Sequence, residues 1–407
     1  VDAARNSTAS KPFVVAAVVL VFAGSIIGAA WMMSLFGAGL PVNPRTFSLH
    51  RTLQVDGFLT MLIMGIGYMI VPRFRNASPP SRKLAYSSFV IVTASVAFSI
   101  ASTFAGGNLW GVAADASRVA GVMIFAGIVF WMARVRPRLL VLADYFALIS
   151  VSVLVALAIA RTAGYVPANA LAEVQSWLLF PVLMIFGVEY KTMPSFLGFI
   201  RPRKRLSYGA LALATASAVL GVVAAYSGNI AVHVAFAAAF IGCAALLAMS
   251  LYIFGGFDNS EILQLISGEK KARYTYTVAY TRISFLFLFT AIACSATVSL
   301  ADGWSYVLYD LAIHYTAIGF VGVTIALYLP LMLPPITGKA VHFIRFNHLP
   351  VVLIVAALVL RAAGDVAIVE RMADSYAFAA ASGWMVVAAL AVFVAMIHSS
   401  MRTGPRQ

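Results

Sequence analysis

Runs of twenty or more apolar residues recur along the whole chain, separated by short basic connectors, and no soluble fold is built that way. A bilayer core about 30 Å thick needs roughly 20 apolar residues per helix. On that measure spans fall near 11–36, 49–72, 83–105, 112–134, 139–161, 173–197, 206–226, 229–253, 281–301, 308–335, 348–370 and 376–400. Connectors such as "RFRNASPPSRK", "RVRPR", "FIRPRKR" and "SGEKKAR" carry Pro, Ser and clustered Lys/Arg, which end helices and favour water. Composition agrees: 62% of residues are hydrophobic and 10% charged, the balance of a polytopic membrane protein. The expectation is an all-α fold of twelve transmembrane helices, one transmembrane domain over residues 1–407. Its first span is too long for the apolar core of a cleaved signal peptide.

The formal charge of +14 suggests a nucleic-acid partner only until the charges are located. Of the 28 Lys and Arg, Arg45, Arg51, Arg118, Arg161, Arg361 and Arg371 lie on one side; the rest flank the N-terminal segment, the loops after even-numbered spans and the C-terminal segment. Basic loops stay cytoplasmic. Both termini are therefore expected in the cytoplasm of a prokaryotic cell, spans 2, 6 and 10 start outside, and nucleic acid drops out. Cys243 and Cys294 both sit in apolar stretches, so no disulfide framework is expected, and no C-x-x-C-H motif offers covalent haem attachment.

Spans 2, 6 and 10 resemble one another. Span 2 ends "GYMIVPRF" and span 6 "EYKTMPSF", sharing Tyr-x-x-x-Pro-x-Phe at Tyr68/Pro72/Phe74 and Tyr190/Pro194/Phe196; span 10 ends "LYLPLMLPP" with looser spacing. Spans 5 and 11 end "IARTAG" and "VLRAAG". A four-helix unit repeated three times, near 11–134, 139–253 and 281–400, accounts for these matches. Tyr68 and Tyr190 read as interfacial aromatics.

Six histidines are present. His50 opens span 2 and His314 lies about a turn and a half into span 10, so both fall toward the outer side at similar depth. Each is followed by a Gly-Phe pair, Gly57-Phe58 and Gly319-Phe320, and glycine on a membrane helix lets a flat macrocycle or another helix come close. Two imidazoles facing each other across a bundle make a bis-histidine haem site. The plainer reading is an amphipathic histidine at the membrane interface, with glycines serving helix packing. Gln54 lies one turn from His50 on the same face. Asp310, one turn before His314, is placed to accept from its imidazole N–H where the backbone is irregular.

Twelve spans in three quartets, with "LHRTLQVDGFLTMLIMGIGYMIVPRF" in span 2 and "IHYTAIGF" in span 10, resemble subunit I of the haem–copper oxidase superfamily, in its C-type-oxidase-like and nitric-oxide-response branches. That resemblance implies His50 and His314 as axial ligands of one low-spin haem b, with Gly57, Gln54 and Gly319 beside the ring. It also implies Arg361, at the outer end of span 11, as a propionate partner; the plainer reading is a snorkelling arginine. The chain departs from the oxidase pattern at the catalytic metals. Ala312 stands where span 10 of the oxidases has a further histidine, and spans 6 and 7 contain none. No copper and no oxygen reduction are expected. The implied role is an electron-transfer subunit of a larger membrane redox complex, linking an extracytoplasmic partner to the quinone pool or another haem subunit. A nitric-oxide-responsive haem protein and a haem-free twelve-helix transporter are the rival classes.

The remaining polar residues keep two readings each. Asp56 serves a proton relay, or hydrogen-bonds to a neighbouring helix or to Arg45 or Arg51. Glu173 and Glu189 line a proton or quinone route, or Glu189 pairs with Lys191 or the basic loop. His342, His348 and His398 share the inner side, where a second haem is a minor alternative. His233 starts span 8.

Overall fold

The computed structural model describes residues 2–35, 44–78, 80–105, 108–135, 140–196, 202–255, 267–298, 300–301, 303–339, 341–342, 347–372 and 375–402. Twelve helices among them are long and apolar enough to cross a membrane, and no strand occurs among the described residues. They are α1 Ala9–Ser34, α2 Arg45–Phe74, α3 Arg82–Ala105, α4 Asn108–Val135, α5 Leu142–Thr162, α6 Ala170–Pro194, α7 Lys204–Ser227, α8 Ile230–Ser250, α9 Gly268–Thr297, α10 Ser305–Pro334, α11 Leu349–Val369 and α12 Ser375–Met401. At 1.5 Å per residue the shortest spans about 30 Å, enough for a bilayer core.

The largest departure from expectation is α9, which begins at Gly268 and so makes "GEKKAR" helical. Glu, Lys, Ala and Arg are good helix formers, and no proline follows Gly268 to stop the run. Lys270 and Lys271 stay exposed, so these extra turns add a solvated basic end to the span.

Three helices form the centre. The most apolar windows of α2, α6 and α10 are 78%, 89% and 72% buried, against at most 56% in any other span. The most extensive neighbour contacts are α3 with α4, α7 with α8, and α11 with α12. The α7–α8 corner is tight because Gly228 takes a left-handed φ of 64° and Asn229 then caps α8, its Oδ1 accepting from Ala231 N at 2.9 Å.

Polar contacts define the two ends of the bundle. At one end α2 meets α4 through Asp56–Arg118, α6 through Arg51–Glu173, and α10 meets α11 through Asp310–Arg361. At the other end Arg75, after Pro72, pairs with Asp144 on α5 at 2.8 Å, and Tyr280 on α9 bonds His348 before α11 at 2.6 Å. We call the first the histidine end. Tyr68 and Tyr190 lie toward the opposite end and are buried rather than interfacial. Tyr68 meets Ser88 on α3 at 2.7 Å and Tyr190 meets Ser250 on α8 at 2.9 Å. A buried phenol needs a hydrogen-bonding partner, and each has found a serine on the neighbouring helix.

Two of the central helices are not α-helical throughout. In α2 residues Thr52–Leu59 form a π-helix, and in α10 residues Tyr315–Gly322 do the same. The wider turns leave room for side chains to reach back: Thr60 Oγ1 donates to Val55 O, five residues earlier, at 2.9 Å. π-Helical turns are rare and concentrate at functional sites. Here one begins two residues after His50 and the other immediately after His314.

Candidate functional site

His50 is set by α1. Its Nδ1 lies 2.7 Å from the Gly24 carbonyl oxygen. A carbonyl only accepts, so Nδ1 carries the proton and the lone pair sits on Nε2. The ring rests against Gly28, where an added Cβ would lie 2.7 Å from two imidazole atoms. Gln54 shares this face, as its spacing predicts, donating to Ser25 Oγ at 3.0 Å and Val21 O at 3.4 Å. It packs on Gly24, where a Cβ would meet its amide nitrogen at 2.9 Å. The groove that receives His50 and Gln54 is therefore Gly24-x-x-x-Gly28 on α1. Sequence reasoning passed over this pattern, although two glycines four apart in an apolar run signal close helix approach.

His314 is set from within its own helix and from α11. Its Nδ1 lies 3.0 Å from Asp310 O and 3.1 Å from Asp310 Oδ1. Both atoms are acceptors, so again Nδ1 carries a proton, and Nε2 is the nitrogen left without a partner. The contact needs no irregular backbone: Ser305–His314 is regular helix, and the π turns come afterwards. Asp310 is held in turn by Arg361, Nε to Oδ2 at 2.5 Å and Nη2 to Oδ1 at 2.7 Å. This bidentate geometry suits guanidinium to carboxylate. Asp365, one turn along α11, is buried within electrostatic reach of both.

The two imidazoles are close enough to interact electrostatically, and His50 also feels Arg361 and Asp310. Both rings are only half-buried, and among the described residues neither Nε2 has a hydrogen-bonding partner. Two imidazoles, each with Nδ1 fixed by an acceptor and Nε2 without a partner, are the kind of donor set that a bis-histidine haem takes.

The other expected ring contacts are used differently. A Cβ on Gly57 would meet Leu20 of α1 at 3.0 Å, and one on Gly319 would meet Phe287 of α9 at 2.5 Å. At these glycines α2 packs closely on α1 and α10 on α9. Arg361 commits Nε and Nη2 to Asp310, and through that carboxylate it positions His314.

The remaining polar residues form a second network at the same end. Asp56 takes the neighbouring-helix partner among its alternatives, pairing with Arg118 on α4 at 2.8 Å, and lies 3.8 Å from Arg161. Arg118 also contacts Asp115, which Arg161 reaches at 3.3 Å. Arg51 pairs with Glu173 at 2.7 Å, and Trp177 Nε1 donates to the same carboxylate at 3.3 Å. These groups border a polar cavity of about 210 Å³ lined by Arg51, Asp56, Arg161, Glu173, Trp177 and Tyr226. His233 is buried, with Nε2 3.1 Å from Ser295 O. On the opposite end His348 meets Tyr280, His342 lies 3.9 Å from Glu269, and His398 is exposed. Among the described residues no three His, Cys, Asp or Glu side chains converge as a metal ion requires.

Compared with known proteins, the chain matches no family model and no curated protein.

Proposed function

We propose that the protein is a membrane cytochrome of b type that holds one low-spin haem between His50 and His314. The observation that carries this reading is how the rings are held: each Nδ1 is committed to an acceptor, each Nε2 is left unpartnered, and the two imidazoles are within electrostatic reach of one another. A haem bound through both positions exchanges single electrons and presents no open coordination site. The chain's own part is orientation. Gly24 O and the Gly28 groove fix the His50 ring, while Asp310, clamped by Arg361, fixes the His314 ring and raises its basicity.

In this reading the chain is a non-catalytic electron-transfer subunit that works with other subunits of a membrane complex, between an extracytoplasmic redox partner and the quinone pool or another haem subunit. The resemblance to oxidase subunit I without its copper and catalytic-haem histidines supports it. So does the fourfold spacing of the central helices α2, α6 and α10, which suits three four-helix units. The basic loops support an orientation with the termini in the cytoplasm and the histidine end outside.

The test is an oxidised-minus-reduced optical spectrum with low-temperature electron paramagnetic resonance on the purified chain. The expected result is a b-type spectrum with a low-spin signal, lost in His50→Ala and in His314→Ala. A five-coordinate high-spin haem would instead favour a nitric-oxide-responsive protein. Absence of haem from chain produced with haem in excess would leave a transporter, and full haem content in both mutants would remove the two histidines from the site.

A further inference from the structure

We propose that Glu189 on α6 is a proton-carrying group inside the membrane span, exchanging its proton with the end of the bundle opposite the histidines. Its side chain is completely buried, and neither carboxylate oxygen has a hydrogen-bond partner among the described residues. The titratable groups in its electrostatic reach are Tyr328 on α10 and Tyr190 on its own helix, and neither brings a positive charge. The pairing with Lys191 that the sequence left open is not formed. An isolated carboxylate in such a place costs several kcal/mol, so the group holds a proton. Ionisable residues within membrane spans are costly enough that they mark function.

Gly187 and Val188, its neighbours on α6, line a cavity beside it. Thr192, three residues on and on the same helix face, has its Oγ1 3.4 Å from the Tyr328 hydroxyl. Tyr328 lines a cavity of about 80 Å³ between α2, α5, α6 and α10. Thr324, one turn before Tyr328, also lines it; this side chain is 2% exposed and its hydroxyl has no partner. Asp144 borders the same cavity and is held by Arg75 at the end opposite the histidines. On α2 the lining runs from Leu62 to Phe74, a rise of about 18 Å at 1.5 Å per residue. A water needs roughly 10–15 Å³ of such space and polar partners. The cavity supplies the space, and Thr324, Tyr328 and Asp144 are the polar residues that border its otherwise aliphatic wall. The step itself moves one proton between the Glu189 carboxyl and water, forming one O–H bond as another breaks, with no change of oxidation state.

The inference needs no haem, and its test reads the carboxyl directly. Infrared spectra of the full chain in lipid nanodiscs should show a protonated-carboxyl band that is lost in Glu189→Gln and shifts down on transfer to heavy water. A carbodiimide, which attacks protonated carboxyls in apolar surroundings, should modify Glu189 in the wild-type chain whether or not sodium is present. Thr324→Val and Tyr328→Phe should keep the band and slow its shift. These two variants carry the test if Glu189→Gln does not fold. A band that never shifts in heavy water would make Glu189 a sealed structural acid and overturn the proposal. Protection from the carbodiimide by sodium would overturn it too, making the carboxylate a metal-cation site.

Discussion

The two histidines reach the same end state by different physics. His50 is fixed by a neighbouring helix: a backbone carbonyl and a glycine groove on α1 hold the ring. His314 is fixed by charge, through a carboxylate on its own helix that a guanidinium on α11 clamps. A ring held by shape should fail when the groove is filled and ignore charge changes. A ring held by an ion pair should do the reverse. The largest expected effect is therefore Gly28→Leu. A Cβ alone would already stand 2.7 Å from the His50 ring, on a backbone that cannot move aside. Most of the haem should be lost from the purified chain while the twelve-helix content by circular dichroism stays intact. Undiminished haem absorbance in Gly28→Leu would show that His50 is not seated in that groove.

At the other histidine the break is electrostatic. Asp310→Leu leaves the Arg361 guanidinium, 12% exposed, without its counter-charge. Removing one member of a buried pair costs about 3–5 kcal/mol, whereas replacing both with apolar groups is often neutral. Asp310→Leu should lower the unfolding midpoint in detergent, and the double variant Asp310→Leu/Arg361→Met should restore most of it. Equal destabilisation in single and double variants would mean the pair does not hold α10 to α11.

Asp310→Asn is milder and reads the haem. It removes one negative charge from beside the ligand, which disfavours the oxidised iron, so the midpoint potential should rise. The loss of one charge from beside a ligand, at an effective dielectric of about 20, should be worth on the order of tens of millivolts. A redox titration with no upward shift would separate Asp310 from the ligand. The same titration on Gln54→Met should stay within error, since Gln54 belongs to the shape-held side.

The contrast also shows what a sequence can carry. Span number and placement follow from run length alone, because a helix must be long enough and apolar enough to cross. The start of α9 escaped because Lys, Arg and Glu look like loop residues when only hydropathy is read, although they are good helix formers. The imidazoles themselves stood out as rare polar groups at matched depth. Their anchors were half legible: Asp310 lies one turn from His314 and its contact follows from helical spacing, whereas Gly24 lies 26 residues from His50 and only packing brings them together. The π turns in α2 and α10 leave no mark in composition. They undo any reckoning of faces from an ideal rotation per residue, yet Asp56 still turns to α4 while His50 turns to α1.

The smallest effect tests whether the α1 groove acts as a unit. Gln54 bonds Ser25 Oγ at 3.0 Å and Val21 O at 3.4 Å beside the His50 contact. Gln54→Met keeps the length and loses the bonds, and leaves Ser25 to turn to its own helix, so about 1 kcal/mol of stability should go. If Gln54 and His50 grip α1 independently, the cost should be the same in the presence and absence of His50. If they share one groove, the two changes will couple, and Gln54→Met made in a His50→Ala background should cost less than it does alone. A double-mutant cycle on unfolding midpoints measures the difference. Strict additivity would show that the glycine groove receives each side chain separately, and that His50 keeps its place without help from the residue one turn below it.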